Sequence, residues 1–135
     1  MTRQTKRRSV DSGMAASYAG AGDEFFRTAQ LAQSHEYWNA AGLLLVHASI
    51  AYADAVTIQL SGQQSSSDNH QDVVTLIKEA ARDRKGRDKA LHHLSTIIQE
   101  KNRVSYTGQS FRSSDVASLL KHAARFQDWV RELLG

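Results

Sequence analysis

The stretch AAGLLLVHASIAYADAV, residues 40–56, constrains this chain more than any other. Laid out at helical spacing with its flanks, Trp38, Ala41, Leu44, Leu45, Ala48, Tyr52, Ala55 and Val56 wrap almost the whole circumference. A helix apolar on nearly all sides has to be packed on more than one side. The stretch is interrupted by His47 and Asp54 and is shorter than the roughly 20 residues a membrane span needs. The expectation is therefore a buried central helix over residues 36–60, with Gly62 as its C-terminal stop. Its alanines and Gly42 leave room for neighbouring helices to approach closely.

Four other segments carry a helical period. Residues 23–34 repeat Phe25, Phe26, Ala29 and Ala32 or Gln33, with Asp23 and Glu24 where a helix N-terminus favours negative charge. A polar loop over residues 61–67 contains the low-complexity patch Ser65-Ser66-Ser67. A third helix then starts at Asp68-Asn69-His70-Gln71, with Asp68 and Gln71 spaced like a capping box. Val73, Val74, Ile77 and Ala80 or Ala81 form its apolar stripe, and His70 falls on the same stripe. A charged turn around Gly86 leads to a fourth helix over residues 87–104, whose inner face is Leu91, Leu94, Ile97, Ile98 and Val104, with Lys101 on that face. The fifth, residues 114–134, has the cleanest amphipathic pattern, from Val116 and Leu119 to Leu134, with Ser113 or Ser114 as cap and Asp115 in its first turn. No segment alternates with period two for more than a few residues, so no sheet is expected. The predicted fold is all-α, a four- to five-helix up-and-down bundle.

A chain of 135 residues suffices for one domain with a hydrophobic core and is too short for two. That domain is expected over residues 22–135, preceded by a flexible basic and polar tail over residues 1–21 that could be deleted without harm to folding. The chain has no cysteine, which excludes a disulfide framework, a thiolate zinc site and a cysteine nucleophile, and fits a reducing, cytoplasmic setting. Its basic start is followed by polar and small residues, so neither a secretory signal nor a membrane anchor is expected. Of the net charge of +3, four cations (Arg3, Lys6, Arg7 and Arg8) lie in the first eight residues. The remaining 13 Lys or Arg face 14 Asp or Glu, so the overall basicity does not by itself mark a nucleic-acid face. No glycine-rich phosphate loop or nucleophile elbow is present. No histidine pair stands at ligand spacing beside a carboxylate, and adjacent His92 and His93 point different ways, so no metal and no cofactor is expected.

The informative segment for chemistry is Glu100-Lys101-Asn102-Arg103-Val104-Ser105-Tyr106-Thr107-Gly108. It places two cations, an amide and a phenol at a helix C-terminus. Read plainly, the cations complement the helix dipole ahead of a glycine loop. Two polar residues could join the segment. His70 is either a core-edge histidine bonded to a neighbour or a base facing Lys101 and Tyr106. Asp54, inside the apolar helix, must be paired. Its partner is either a cation of the fourth or fifth helix, as a salt bridge, or Lys101 or Arg103, which it would orient. His47, seven residues earlier on the same face, extends that polar line.

The order of elements, with its long alanine-rich second helix and capped third helix, resembles the HEPN superfamily of nucleotide- and RNA-handling domains over roughly residues 23–134. The family motif is an Arg, a polar residue that is often Asn, a few further residues and a His. Here Lys101 stands at the Arg position, Asn102 at the polar position and Tyr106 at the His position. Arg103 could supply the arginine after a one-residue shift, but its spacing to Tyr106 is then too short. The resemblance implies metal-independent action on RNA through the His and the Arg, frequent homodimers whose two motifs line one cleft, and in some systems a nucleotidyltransferase-like partner protein. The departures matter. A Tyr, with an ordinary pKa of about 10, is a poor base near neutral pH but can donate a hydrogen bond or stack on a base. Lys keeps the charge without the two-pronged guanidinium geometry. The expectation is a degenerate motif adapted to binding RNA or a nucleotide in a defence, toxin–antitoxin or stress setting, with Lys101, Asn102, Arg103, Tyr106 and His70 at the site and Asp54 and His47 in support. The alternatives are a non-catalytic helical dimerisation or interaction protein, and an active ribonuclease with a divergent site.

Overall fold

The computed structural model describes residues 6–135, apart from the side chains of Ser105 and Tyr106. It is an all-α bundle of five helices among the described residues: α1 Ala15–Ser34, α2 Trp38–Ser61, α3 Gln71–Ala80, α4 Arg87–Thr107 and α5 Ser113–Leu134. Two short strands, β1 Arg7–Ser9 and β2 Gln63–Ser65, accompany them.

The apolar stretch does form the central helix. α2 touches all four other helices, and Ala41, Ala48, Ala53, Ala55, Val56 and Ile58 are completely buried. By length and composition α2 could cross a membrane, but 72% of its most apolar window is buried inside the bundle. Its small residues let large ones approach. A Cβ at Gly42 would stand 2.5 Å from the ring of Phe111, and one at Gly22 of α1 would stand 2.7 Å from the ring of Tyr52. Gly62 ends the helix in the left-handed region, at φ 67°, and its N–H donates to the carbonyl of Ile58. Around α2, the inner faces of α4 and α5 contribute Leu94, Ile97, Ile98, Leu119 and Phe126, all essentially inaccessible.

The N-terminal region differs from the expected tail. α1 begins at Ala15, not at residue 23, after a one-turn 3-10 segment whose cap is Asp11, with Asp11 Oδ1 accepting from the Gly13 N–H at 2.9 Å. The added turns have almost no large apolar side chains. They pack through small ones, Ala15 and Gly22, against α2. Close approach of backbones, not a stripe of leucines, holds this part of α1. Ahead of it, β1 pairs antiparallel with β2 in the register Arg7↔Ser65, Arg8↔Gln64, Ser9↔Gln63, a sheet the sequence pattern did not predict. Its residues are polar and too few to alternate visibly, and its partners are far apart in the chain. The described part of the expected tail is thus ordered; residues 1–5 lie outside the described residues.

Two helix ends are also shifted. α3 starts at Gln71, and the Asn69 side chain accepts from its N–H at 3.0 Å, so the capping box with Asp68 is not formed. α4 continues to Thr107, where Gly108, at φ 70°, closes it by donating to Val104 O. The whole segment from Lys101 to Thr107 is therefore helical. Phe111, buried in the α4–α5 connection, covers Gly42, and its N–H donates to Asn39 Oδ1 at 2.8 Å.

Candidate functional site

α3 and α4 pack against each other and both pack on α2. His70 occupies the N-cap position of α3, half-buried, with no capping bond from its side chain. Its pKa is lowered, first by burial, then by the nearby positive charge of Lys101 and by His47, with Asp68 opposing. Charges from two other helices, Lys101 on α4 and His47 on α2, thus act on His70. The imidazole is accordingly held neutral at neutral pH, with a lone pair free to accept a proton or hydrogen bond. His47 is exposed, its ring 6.2 Å from that of Phe25 on α1.

Lys101 and Asn102 are half-exposed, and neither takes part in a hydrogen bond or ion pair among the described residues. Arg103, one residue on, is committed elsewhere. Its Nε and Nη2 donate to Glu100 Oε1, its Nη1 donates to Gln109 Oε1 at 2.7 Å, and Asp115 Oδ2 lies 3.4 Å from its Nη2. Asp115 in turn accepts from the Arg112 N–H at 2.8 Å, which holds its carboxyl below the usual range. Arg103 therefore clamps the end of α4 to the start of α5. Three side-chain acceptors, Glu100, Gln109 and Asp115, thus engage its guanidinium within the fold. The side chain of Tyr106 lies outside the described residues.

Asp54 is not part of this cluster. Its Oδ2 accepts from Gln64 Nε2 at 3.1 Å, and the nearest cation acting on it is Arg8. Arg8 donates from Nε and Nη2 to Gln64 Oε1, at 2.9 and 2.7 Å, and Tyr18 OH donates to the same oxygen at 3.2 Å. The partner expected from α4 or α5 is thus replaced by one from β1 and β2. Burial dominates the net effect and pushes the Asp54 pKa up to about 6.

Two further polar clusters have no counterpart in the sequence expectations. Tyr52 OH donates to Asp23 Oδ1 at 2.5 Å and accepts from Gln127 Nε2 at 2.6 Å, which joins α1, α2 and α5. On the α4–α5 face, His93 Nδ1 and His122 Nδ1 are 2.9 Å apart. Adjacent His92 and His93 do not part as expected: their ring centroids lie 5.8 Å apart, and His122 of α5 stands 6.2 and 5.1 Å from them. Only the helix-helix register reveals that. Among the described residues, no group of three or more potential ligands is placed to hold a metal ion.

The fold is an all-α bundle of five helices among the described residues. No family model, curated protein or solved structure matches the chain.

Proposed function

We propose that the surface formed by Lys101, Asn102, His70 and His47 binds a phosphate-bearing ligand, RNA or a nucleotide, in the manner of a HEPN-like domain whose nuclease motif has degenerated. The observation that carries the reading is the half-exposed Lys101 without an ion-pair partner among the described residues, whose charge acts on His70 together with that of His47. The lysine has no internal ion pair, while the arginine beside it is fully engaged within the fold. An unpaired ammonium attracts a phosphate. The Asn102 amide can both donate and accept, which suits fixing orientation. His70, neutral and solvent-accessible, is a group that could stand in for the base missing from the motif. The setting that goes with this reading is cytoplasmic, in defence or stress, with a nucleotidyltransferase-like protein as a possible companion.

Filter binding of RNA at two salt concentrations tests it. Lys101→Ala is expected to weaken binding and to flatten its salt dependence by about one counterion, with little change in melting temperature. If Lys101→Ala binds RNA as the wild type does, the site assignment is wrong.

A second reading is a homodimeric interaction protein. It is favoured by exposed apolar side chains, Leu31 at 61%, Tyr37 at 65% and Leu43 at 47% accessibility. These lie on α1, α2 and the turn between them, so the pairing surface of this reading is α1–α2 and not the α4 interface expected from the resemblance.

A further inference from the structure

The groove between α4 and α5, two helical turns from Lys101 along α4, is lined by Asp88, Lys89, His92, His93, His122 and Arg125. Three features coincide there. First, Lys89 and Arg125, together with Lys121 on the adjacent turn of α5, take part in no ion pair among the described residues. Second, the one acid lining the groove, Asp88, already has a partner, its Oδ1 accepting from Arg87 Nη2 at 2.8 Å, and Glu100 and Asp115, which line the neighbouring cavity with His122, are paired with Arg103 and Arg112. Third, the facing Nδ1 atoms of His93 and His122, 2.9 Å apart, have room for one proton between them. One ring must donate and the other accept. With both rings doubly protonated, two N–H groups would point at each other, so the second proton requires the pair to part.

We propose that this groove is a second phosphate-binding site, one that takes up protons as it binds and so tightens as the pH falls. A phosphate offers several acceptor oxygens. Lys89 and Arg125 supply permanent charge, and His93 and His122 turn from each other to the ligand, each then carrying its own proton. In the free protein the surroundings oppose that protonation. Burial lowers both pKa values, and His92, Lys89 and Arg125 lower that of His93, as His92, Arg125 and Lys121 lower that of His122. The negative charge of the ligand offsets the local positive field and stabilises the protonated rings. The chemistry is shared by free phosphate and by a nucleic-acid backbone. The inference deepens the RNA-binding reading in the second case and is independent of it in the first.

The test uses the full chain, with inorganic phosphate and a single-stranded RNA oligonucleotide as probes, at pH 7.5 and pH 6.0. Imidazole NMR signals of His93 and His122 are expected to move on adding either probe at pH 6.0. RNA affinity is expected to rise roughly thirtyfold over that range, the effect of about one linked proton across 1.5 pH units. A double variant, His93→Gln with His122→Gln, should lose most of the rise. Lys89→Ala with Arg125→Ala, both exposed and free of folding contacts, should weaken binding at both pH values, which keeps the test decisive even where the histidine variant folds poorly. Signals that respond to phosphate and not to RNA assign the site to a free phosphate. Signals that respond to neither probe overturn the proposal. RNA binding lost in Lys101→Ala but unchanged in Lys89→Ala with Arg125→Ala overturns the RNA arm alone and leaves the α4 motif standing. The reverse pattern supports this groove and removes the motif.

Discussion

Asp54 gives the fold a pH dependence that can be worked out in sign. Its folded pKa, about 6, lies above its unfolded value near 3.8, so between those values the folded state binds more protons than the unfolded one. Stability from this group is therefore full below about pH 4 and is lost as pH rises through 6. Asp54→Asn keeps an acceptor for Gln64 and removes the charge. Chemical denaturation from pH 4 to 8 should show the variant gaining on the wild type as pH rises, by up to about 3 kcal/mol. A constant difference across that range would show that Asp54 is not desolvated as described. Gly42 carries a second residue-scale prediction. Gly42→Ala puts a methyl into the Phe111 ring, and repacking in such a core costs about 1–3 kcal/mol, readable as a lower denaturation midpoint. How far these residues could be read from the sequence varied. His70 and Lys101 each lie on the apolar stripe of their own helix, and a stripe gives a facing direction relative to that helix alone. His93 and His122 could not be matched, because their contact depends on the register of α4 against α5. Of the partners of Arg103, Glu100 is one turn back on α4 and legible from spacing, while Gln109 and Asp115 lie beyond the helix end, across a turn whose path the pattern does not describe.

At the scale of elements, the N-terminal region is the part whose order the sequence concealed. α1 gains its first two turns from alanine and glycine contacts, and a hydrophobic pattern built on large residues does not register them. β1 adds little apolar burial. It contributes Arg8, which satisfies Gln64 and through it bears on Asp54. Deleting residues 1–10 should remove the ribbon and leave the bundle folded, with a melting temperature lower by several degrees. Deleting residues 1–20 also takes the 3-10 turn and the start of α1, including buried Ala15, and should cost more than about 2 kcal/mol. Melting curves of the two truncations decide this. Equal and wild-type stability for both would mean that the region is not docked. The α2–α3 connection shows the same limit: β2 is three polar residues, and its strand geometry exists only because β1 reaches it.

For the whole molecule, the open quantity is how many copies assemble. Leu31, Tyr37 and Leu43 are the side chains that a pairing of α1–α2 would bury. On the homodimer reading, light scattering at micromolar concentration gives twice the monomer mass, and Leu43→Lys returns it to one chain without lowering the melting temperature. A wild-type monomer removes that reading and leaves the RNA-binding one untouched. The sequence by itself determined the class of fold. Residues 40–56 are apolar around the whole helix and demand neighbours on several sides, and four further amphipathic stretches supply them. It also determined that Lys101 and His70 each lie on the apolar stripe of their own helix, because each helical period is a local property of covalent geometry and hydrophobic burial. Only the tertiary structure decided which cations remain unpaired, that Asp54 looks to β1 and β2, that small residues dock the start of α1, and that His93 meets His122. These are relations between segments far apart in the chain. They are set by how closely backbones approach and by the register in which helices pack, and no local period encodes either.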